Sequence, residues 1–232
     1  MTIAAIMQPT YLPWIGYFAM IDRVDRFVFL DSVQFARRSW QQRNRIKLDG
    51  REYMLTVPVL TKGRREQAIM DVEIDPASAY ARQHIATIRQ AYAKAPFFPD
   101  YADDLFAILA DGHRGLSELN VALISWLMSV FGISTSVVSS SSFEAEGHKA
   151  DLLADLCRDI GADTYLSAPG SADYIEESDA FAVRDIAVWF HAYEHPVYPQ
   201  GPDPFLPYMS AIDLLFQAGP RSLSILRSGV HV

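Results

Sequence analysis

The chain has 232 residues, enough for one large domain or two small ones with a sizeable core. Half of it is apolar (50%), 21% is charged and the formal net charge is −8, a balance that fits a globular protein and excludes a general binder of DNA or of anionic membrane. Its single cysteine, Cys157, excludes an internal disulfide framework and any cysteine-based zinc site.

Met1 leads straight into strand-like sequence, with no charged n-region and apolar h-region, so a cytoplasmic protein is expected. The longest apolar runs, such as 121–131, are too short or interrupted to span a bilayer, and no membrane partner is expected. Ile3 to Met7 and Phe27 to Leu30 are short continuous apolar runs, as in strands buried on both faces, with room for a short helix from Tyr17 to Val24 between them. This is the opening of a parallel α/β sheet. Arg45 to Leu48, the turn pair Asp49-Gly50, and Tyr53 to Leu60 predict a hairpin, and Met70 to Ile74 a further strand. Asp75-Pro76 reads as a helix start, with an apolar face at Ala81, Ile85, Ile88 and Tyr92 before Pro96 stops it.

Helices follow at Tyr101 to Ala110 and at Ser117 to Phe131, the latter ended by Gly132. Thr135 to Val138 is a short strand, Lys149 to Ile160 a helix closed by Gly161, and Thr164 to Ser167 the next strand. The whole reads as one α/β domain, 1–232, with a Rossmann-like, mostly parallel sheet, a hairpin insertion at 43–74 and a helical block at 76–131. Such a sheet places its ligand at the carboxyl ends of the strands.

Three stretches concentrate chemistry. The strand ends are polar (Gln8, Asp31, Ser139 and Ser167), which is either ordinary contact with water or a shared rim. "QFARRSWQQRNRIK", 34–47, puts Arg37, Arg38, Arg43, Arg45 and Lys47 within eleven residues that contain no acid. Guanidinium forks match carboxylate and phosphate oxygens, and Trp40 among them could stack on a base or sugar; the plain alternative is a solvated loop. With Gln34 and Asn44 the stretch is a candidate site for a small anionic or amine-bearing substrate. "VWFHAYEHPVYPQ", 188–200, offers His191, His195, Tyr198 and Gln200. Val188, Trp189, Phe190 and Tyr193 read as strand before Pro196, and a strand separates the two imidazoles by about 13 Å, so no shared metal is expected, although one histidine could move a proton. Cys157, among leucines on a helix, reads as a packed core thiol. No G-x-S-x-G, Walker A or G-x-G-x-x-G motif occurs.

In "QPTYLPWIGY", 8–17, two prolines, a glycine and three aromatics crowd a bend directly after the first strand. Pro9 and Pro13 stiffen it, Gly16 permits close backbone approach, and Tyr11, Trp14 and Tyr17 become walls of a pocket or, on the plain reading, a structural corner.

This bend, "DRFVFLDSVQFARRSWQQRNRIK", "TVPV", "LCRDIGADTYLSAPGSADYI", "YEHPVYPQ" and "FLPYMSAIDLLF" together resemble the WbqC-like family over nearly the whole chain. The chain departs from the family pattern at Ala168 (usually glycine), near Ala172 (often lysine) and at Gln42 (asparagine). The resemblance implies a role in surface-polysaccharide (O-antigen) or other specialised biosynthesis, as a transferase moving an aminoacyl, glycyl-like, or acyl group onto an amine of an amino sugar or pathway intermediate. No cofactor is fixed: ATP, a thioester or an aminoacyl donor, including an acyl-carrier protein or aminoacyl-tRNA, would serve. His195, Tyr17 and Asp31 are then the candidate catalytic groups; Lys149 and Tyr174 join Gln8, Ser167 and the residues above as candidate substrate contacts. Two alternatives stand. One is nucleotidylyl transfer, since "PTYLPWIGYF" lies roughly where HIGH-type enzymes carry their motif, although Tyr17 replaces the histidine. The other is a non-catalytic scaffold that binds a carrier protein through Arg37 to Lys47.

Overall fold

The computed structural model describes residues 1–145, 147, 149–201 and 204–231, the side chain of Tyr174 excepted. Apolar runs with β-branched and aromatic residues form the central strands: β1 (Ile3–Met7), β2 (Arg26–Phe29), β5 (Ser136–Ser139), β6 (Thr164–Ser167) and β7 (Ala187–Phe190). All pair in parallel, in the order β5-β2-β1-β6-β7. The chain therefore lays strands to one side of β1, then crosses over and fills the other side from β6. The reversal between β1 and β6 makes this a doubly wound, Rossmann-like sheet with its switch point at those two strands.

The hairpin of β3 (Arg43–Leu48) and β4 (Arg51–Thr56) is a separate antiparallel pair turned at Asp49 and Gly50, both at positive φ as a tight two-residue turn requires. The helices are α1 (Ile15–Asp22), α2 (Tyr80–Tyr92), α3 (Phe98–Ala110), α4 (Leu116–Phe131), α5 (Ala150–Asp159), α6 (Ala172–Glu176), α7 (Ala211–Ala218) and α8 (Ser222–Ser228). One buried cluster joins α1, the hairpin, α2–α4 and α7–α8; a smaller one lies between the sheet and α5.

Two expectations need correction. The expected strand at Met70 to Ile74 is a 3₁₀ turn at Ile69–Asp71 followed by isolated bridges from Glu73 to Gly115 and from Ile74 to Val59. The expected helix at Asp75-Pro76 begins only at Tyr80. Asp75 Oδ1 instead accepts the Ala77 amide at 3.0 Å, a local turn that competes with helix, and the Ser78 hydroxyl receives the Tyr80 amide at 3.1 Å. Cys157 is buried, and burial pushes its thiol up to about 12, as a packed core thiol should behave.

Candidate functional site

The bend after β1 is fixed by two buried asparagines. Asn44, on β3, donates to the carbonyls of Tyr11 (3.1 Å) and Leu12 (2.9 Å), holding Leu12 at a φ of 43°. Asn120, on α4, donates to the carbonyls of Pro9 (3.1 Å) and Gln41 (2.7 Å), while the Tyr11 amide donates to Trp40 O at 3.0 Å. The proline-rich bend and the arginine-rich loop are therefore one unit. At Gly16 a methyl group would fall inside the Trp14 indole, so the backbone approach that this glycine permits is used.

A cleft opens over this unit in two adjoining compartments that share Met7, Thr10 and Trp40. The rim compartment, about 350 Å³, sits over the carboxyl ends of β1 and β6 at the switch point, and its polar lining includes Gln8, Thr10, Ser39, Gln41, Tyr165 and Ser171. The aromatic compartment, about 260 Å³, is walled by Trp14, Tyr17, Trp40 and Tyr208, with Asn44 and Arg45. The Arg45 guanidinium lies 5.5 Å from the Trp40 ring centre and pairs with Glu52 at 2.9 Å.

Among the expected site residues, Gln8, Trp14, Tyr17, Trp40, Asn44 and Arg45 come together here. Others do not. Tyr11 is wholly buried, its hydroxyl 2.8 Å from His84 Nδ1, so it supports the bend and forms no wall. Asp31 is closed: Ser140 Oγ, the Ser141 amide and Ser141 Oγ all donate to its carboxylate at 3.0–3.1 Å, which ties β2 to β5. Gln34 reaches the Arg65 carbonyl at 3.4 Å, and Arg37 the Thr61 carbonyl at 2.6 Å. Arg38 is exposed at a φ of 59°, and Arg43 is half-buried. Ser167 is buried with its carbonyl accepting the His191 amide at 2.8 Å. Lys149 is exposed just before α5, and the side chain of Tyr174 lies outside the described residues. Thr10, Ser39, Gln41, Ser171 and Tyr208 were not expected; none belongs to a residue type or spacing that announces a site.

The proton-transfer candidates are more constrained than their residue types imply. Tyr17 donates to the Gln8 carbonyl at 3.2 Å, and burial holds its phenol well above the usual range, so it is a neutral donor. His195 donates from Nδ1 to Pro196 O at 2.9 Å, stacks on the Trp14 ring behind the aromatic wall, and is kept towards the neutral form by burial. His191 accepts from Arg23 at 3.2 Å; burial and that guanidinium lower it to about 4. Tyr198 and Gln200 both bind Asp213, away from the cleft. Among the described residues no three His, Cys, Asp or Glu side chains gather as metal ligands.

Fold and site together define a class: a Rossmann-like α/β protein with an aromatic-walled cleft at the sheet's switch point. The WbqC-like family model matches residues 8–225, and the chain belongs to that family. It is 37% identical over 226 residues to an uncharacterized protein of Mycobacterium tuberculosis, the match covering 96% of each chain. No solved structure matches it. No helix among the described residues is long and apolar enough to cross a membrane.

Proposed function

We propose that this protein is a biosynthetic transferase that moves an acyl or aminoacyl group from a thioester or ester donor onto a primary amine. The observation that carries this reading is the rim compartment: polar lining at the switch point with no charged side chain among the described residues, next to Trp40. A neutral acyl carbonyl suits such a lining, whereas triphosphate recognition in nucleotidylyl transfer calls for cations. In the transfer the amine lone pair forms the new C–N bond and the carbonyl π pair moves onto oxygen. Collapse of that oxyanion re-forms the C=O and expels the donor's sulfur or oxygen, which takes up the proton lost by the amine. The test is incubation of purified protein with glycyl and acetyl thioesters and a panel of primary amines, with mass-spectrometric detection of amide. Amide formation above the uncatalysed level, lost in Trp40→Ala, is expected. Pyrophosphate release from a nucleoside triphosphate, with no amide formed, would replace this reading with nucleotidylyl transfer.

Delivery of the donor by an acidic carrier protein is a second reading, favoured by Arg37 and Arg38, both exposed on the loop that carries Trp40. It requires carrier binding to weaken steeply with salt and to fall in the Arg37→Ala/Arg38→Ala double variant.

A further inference from the structure

The rim compartment contains a hydrogen-bond chain whose direction is fixed by its first donor. The Ala36 backbone N–H points at the Gln41 side-chain oxygen at 3.0 Å. A backbone N–H can only donate, so the oxygen of the Gln41 amide must lie there and its nitrogen on the other side. That nitrogen lies 2.8 Å from the Gln8 side-chain oxygen. An amide nitrogen likewise only donates, which settles the Gln8 amide as well: oxygen towards Gln41, nitrogen away from it. Both ends are anchored. Gln41 is 2% exposed and its backbone carbonyl is held by Asn120, while the backbone carbonyl of Gln8 accepts from Tyr17. Gln8 lines the rim compartment, and its side-chain nitrogen has no protein partner among the described residues.

We propose that this nitrogen is a pre-oriented docking point for a neutral carbonyl oxygen of the ligand (amide, ester or thioester), with Gln41 as the positioning residue that aims it. The inference rests on the cleft being the ligand site. Two features select the ligand class. Gln8 offers N–H donors already turned away from the protein, which call for an oxygen acceptor. The hydroxyl-bearing residues around it are Thr10, Ser39, Tyr165 and Ser171, and no Lys, Arg or His lines this compartment among the described residues. A carboxylate or phosphate here would lose its hydration without a counter-charge, whereas a carbonyl oxygen needs one or two donors. An oxyanion developing from that carbonyl would find its donor in place without reorganisation.

The test uses full-length protein labelled with ¹⁵N at glutamine side chains and tryptophan indoles, with N-acetylglycinamide as the neutral carbonyl probe and inorganic phosphate as the anionic one. N-acetylglycinamide is expected to shift the Gln8 side-chain NH₂ pair and the Trp40 indole signal but not the Gln41 pair; phosphate is expected to shift none of them. In Gln8→Glu a carboxylate oxygen still accepts from Gln41, so the fold is kept while the open donor is lost, and affinity for the probe should fall about tenfold or more. In Gln41→Glu the chain loses its central donor, Gln8 is free to turn its oxygen into the cleft, and the probe response should fall although Gln8 remains. An equal response of the Trp40 indole in wild type and Gln8→Glu would overturn the docking point while leaving the cleft as the ligand site. So would a Gln8 shift caused by phosphate. If the probe moves neither the Gln8 nor the Trp40 signal, the docking point and the reading of the cleft both fall.

Discussion

The Gln41–Gln8 chain at the sheet rim and the cluster around Asp213 are both polar networks with buried members, yet they end differently. Asp213, on α7, is buried completely; its two carboxylate oxygens accept from Tyr198 (2.9 Å), Gln200 (2.8 Å) and Tyr92 (2.8 Å). Lys47 sits beside this cluster, its ammonium donating to the carbonyls of Gln200 (3.1 Å) and Pro204 (2.9 Å). Burial pushes the carboxyl of Asp213 up, and the three donors pull it back. This network turns inward and is satisfied by the protein itself, although a cavity of about 570 Å³, larger than either cleft compartment, opens beside it. The rim network runs outward and stops at an unfilled donor. Neither cavity volume nor burial separates the two regions; whether the last polar group has a protein partner does.

That contrast can be broken experimentally, most severely first. Asp213→Ala removes the acceptor of two tyrosine hydroxyls and of the Gln200 amide, together with the negative charge beside the Lys47 ammonium, and should cost about 3–5 kcal/mol in urea unfolding, as removal of one partner from a buried charged network does. The cleft signals of Gln8 and Trp40 should be unchanged in the folded protein. Next comes pH. His84 accepts from the Tyr11 hydroxyl and bonds the Thr56 carbonyl, and burial lowers it to about 4. The unfolded chain takes up this proton near pH 6.5 and the folded one only near 4, so the stability contributed by neutral His84 is complete above about 6.5 and declines as pH falls to about 4. The slope is about 1.4 kcal/mol per pH unit at its steepest, and unfolding at stepped pH in wild type and His84→Gln isolates it. Asn120→Ala leaves the carbonyls of Pro9 and Gln41 without their donor and should cost about 1–3 kcal/mol while broadening the Trp40 indole signal. Trp40→Ala should have the smallest effect on stability, within about 1 kcal/mol because the ring is 47% exposed, yet remove the ligand response.

The sheet was legible wherever one residue type dominates a short run: β1 and β2 stand where the continuous apolar segments are, and the hairpin turns at Asp49-Gly50 as its residues demand. Asp75-Pro76 misled because the same aspartate that caps a helix also closes a local turn. The short helices α7 and α8 went unread. The aromatic wall was legible from composition, since Trp14, Tyr17 and Trp40 are costly residues to crowd near a bend. Gln41 was not. Its importance lies in the direction of two hydrogen bonds to residues 5 and 33 positions away, and no local pattern encodes a direction. The arginine segment carried less than its charge promised, because of its guanidinium groups only that of Arg45 lines the cleft.

β1 precedes the other strands of its sheet in the chain and lies at the sheet's centre, so its two edges are covered at very different times during synthesis. One edge is covered by β2 within about twenty residues, whereas the other waits for β6, beginning at Thr164. The stapling of Pro9 by Asn120 waits for 111 further residues, about 5–20 s of synthesis at typical rates of 5–20 residues per second. Through that interval the bend after β1 lacks the hydrogen bond from Asn120 that holds it. A slow codon placed before α4 would lengthen that wait.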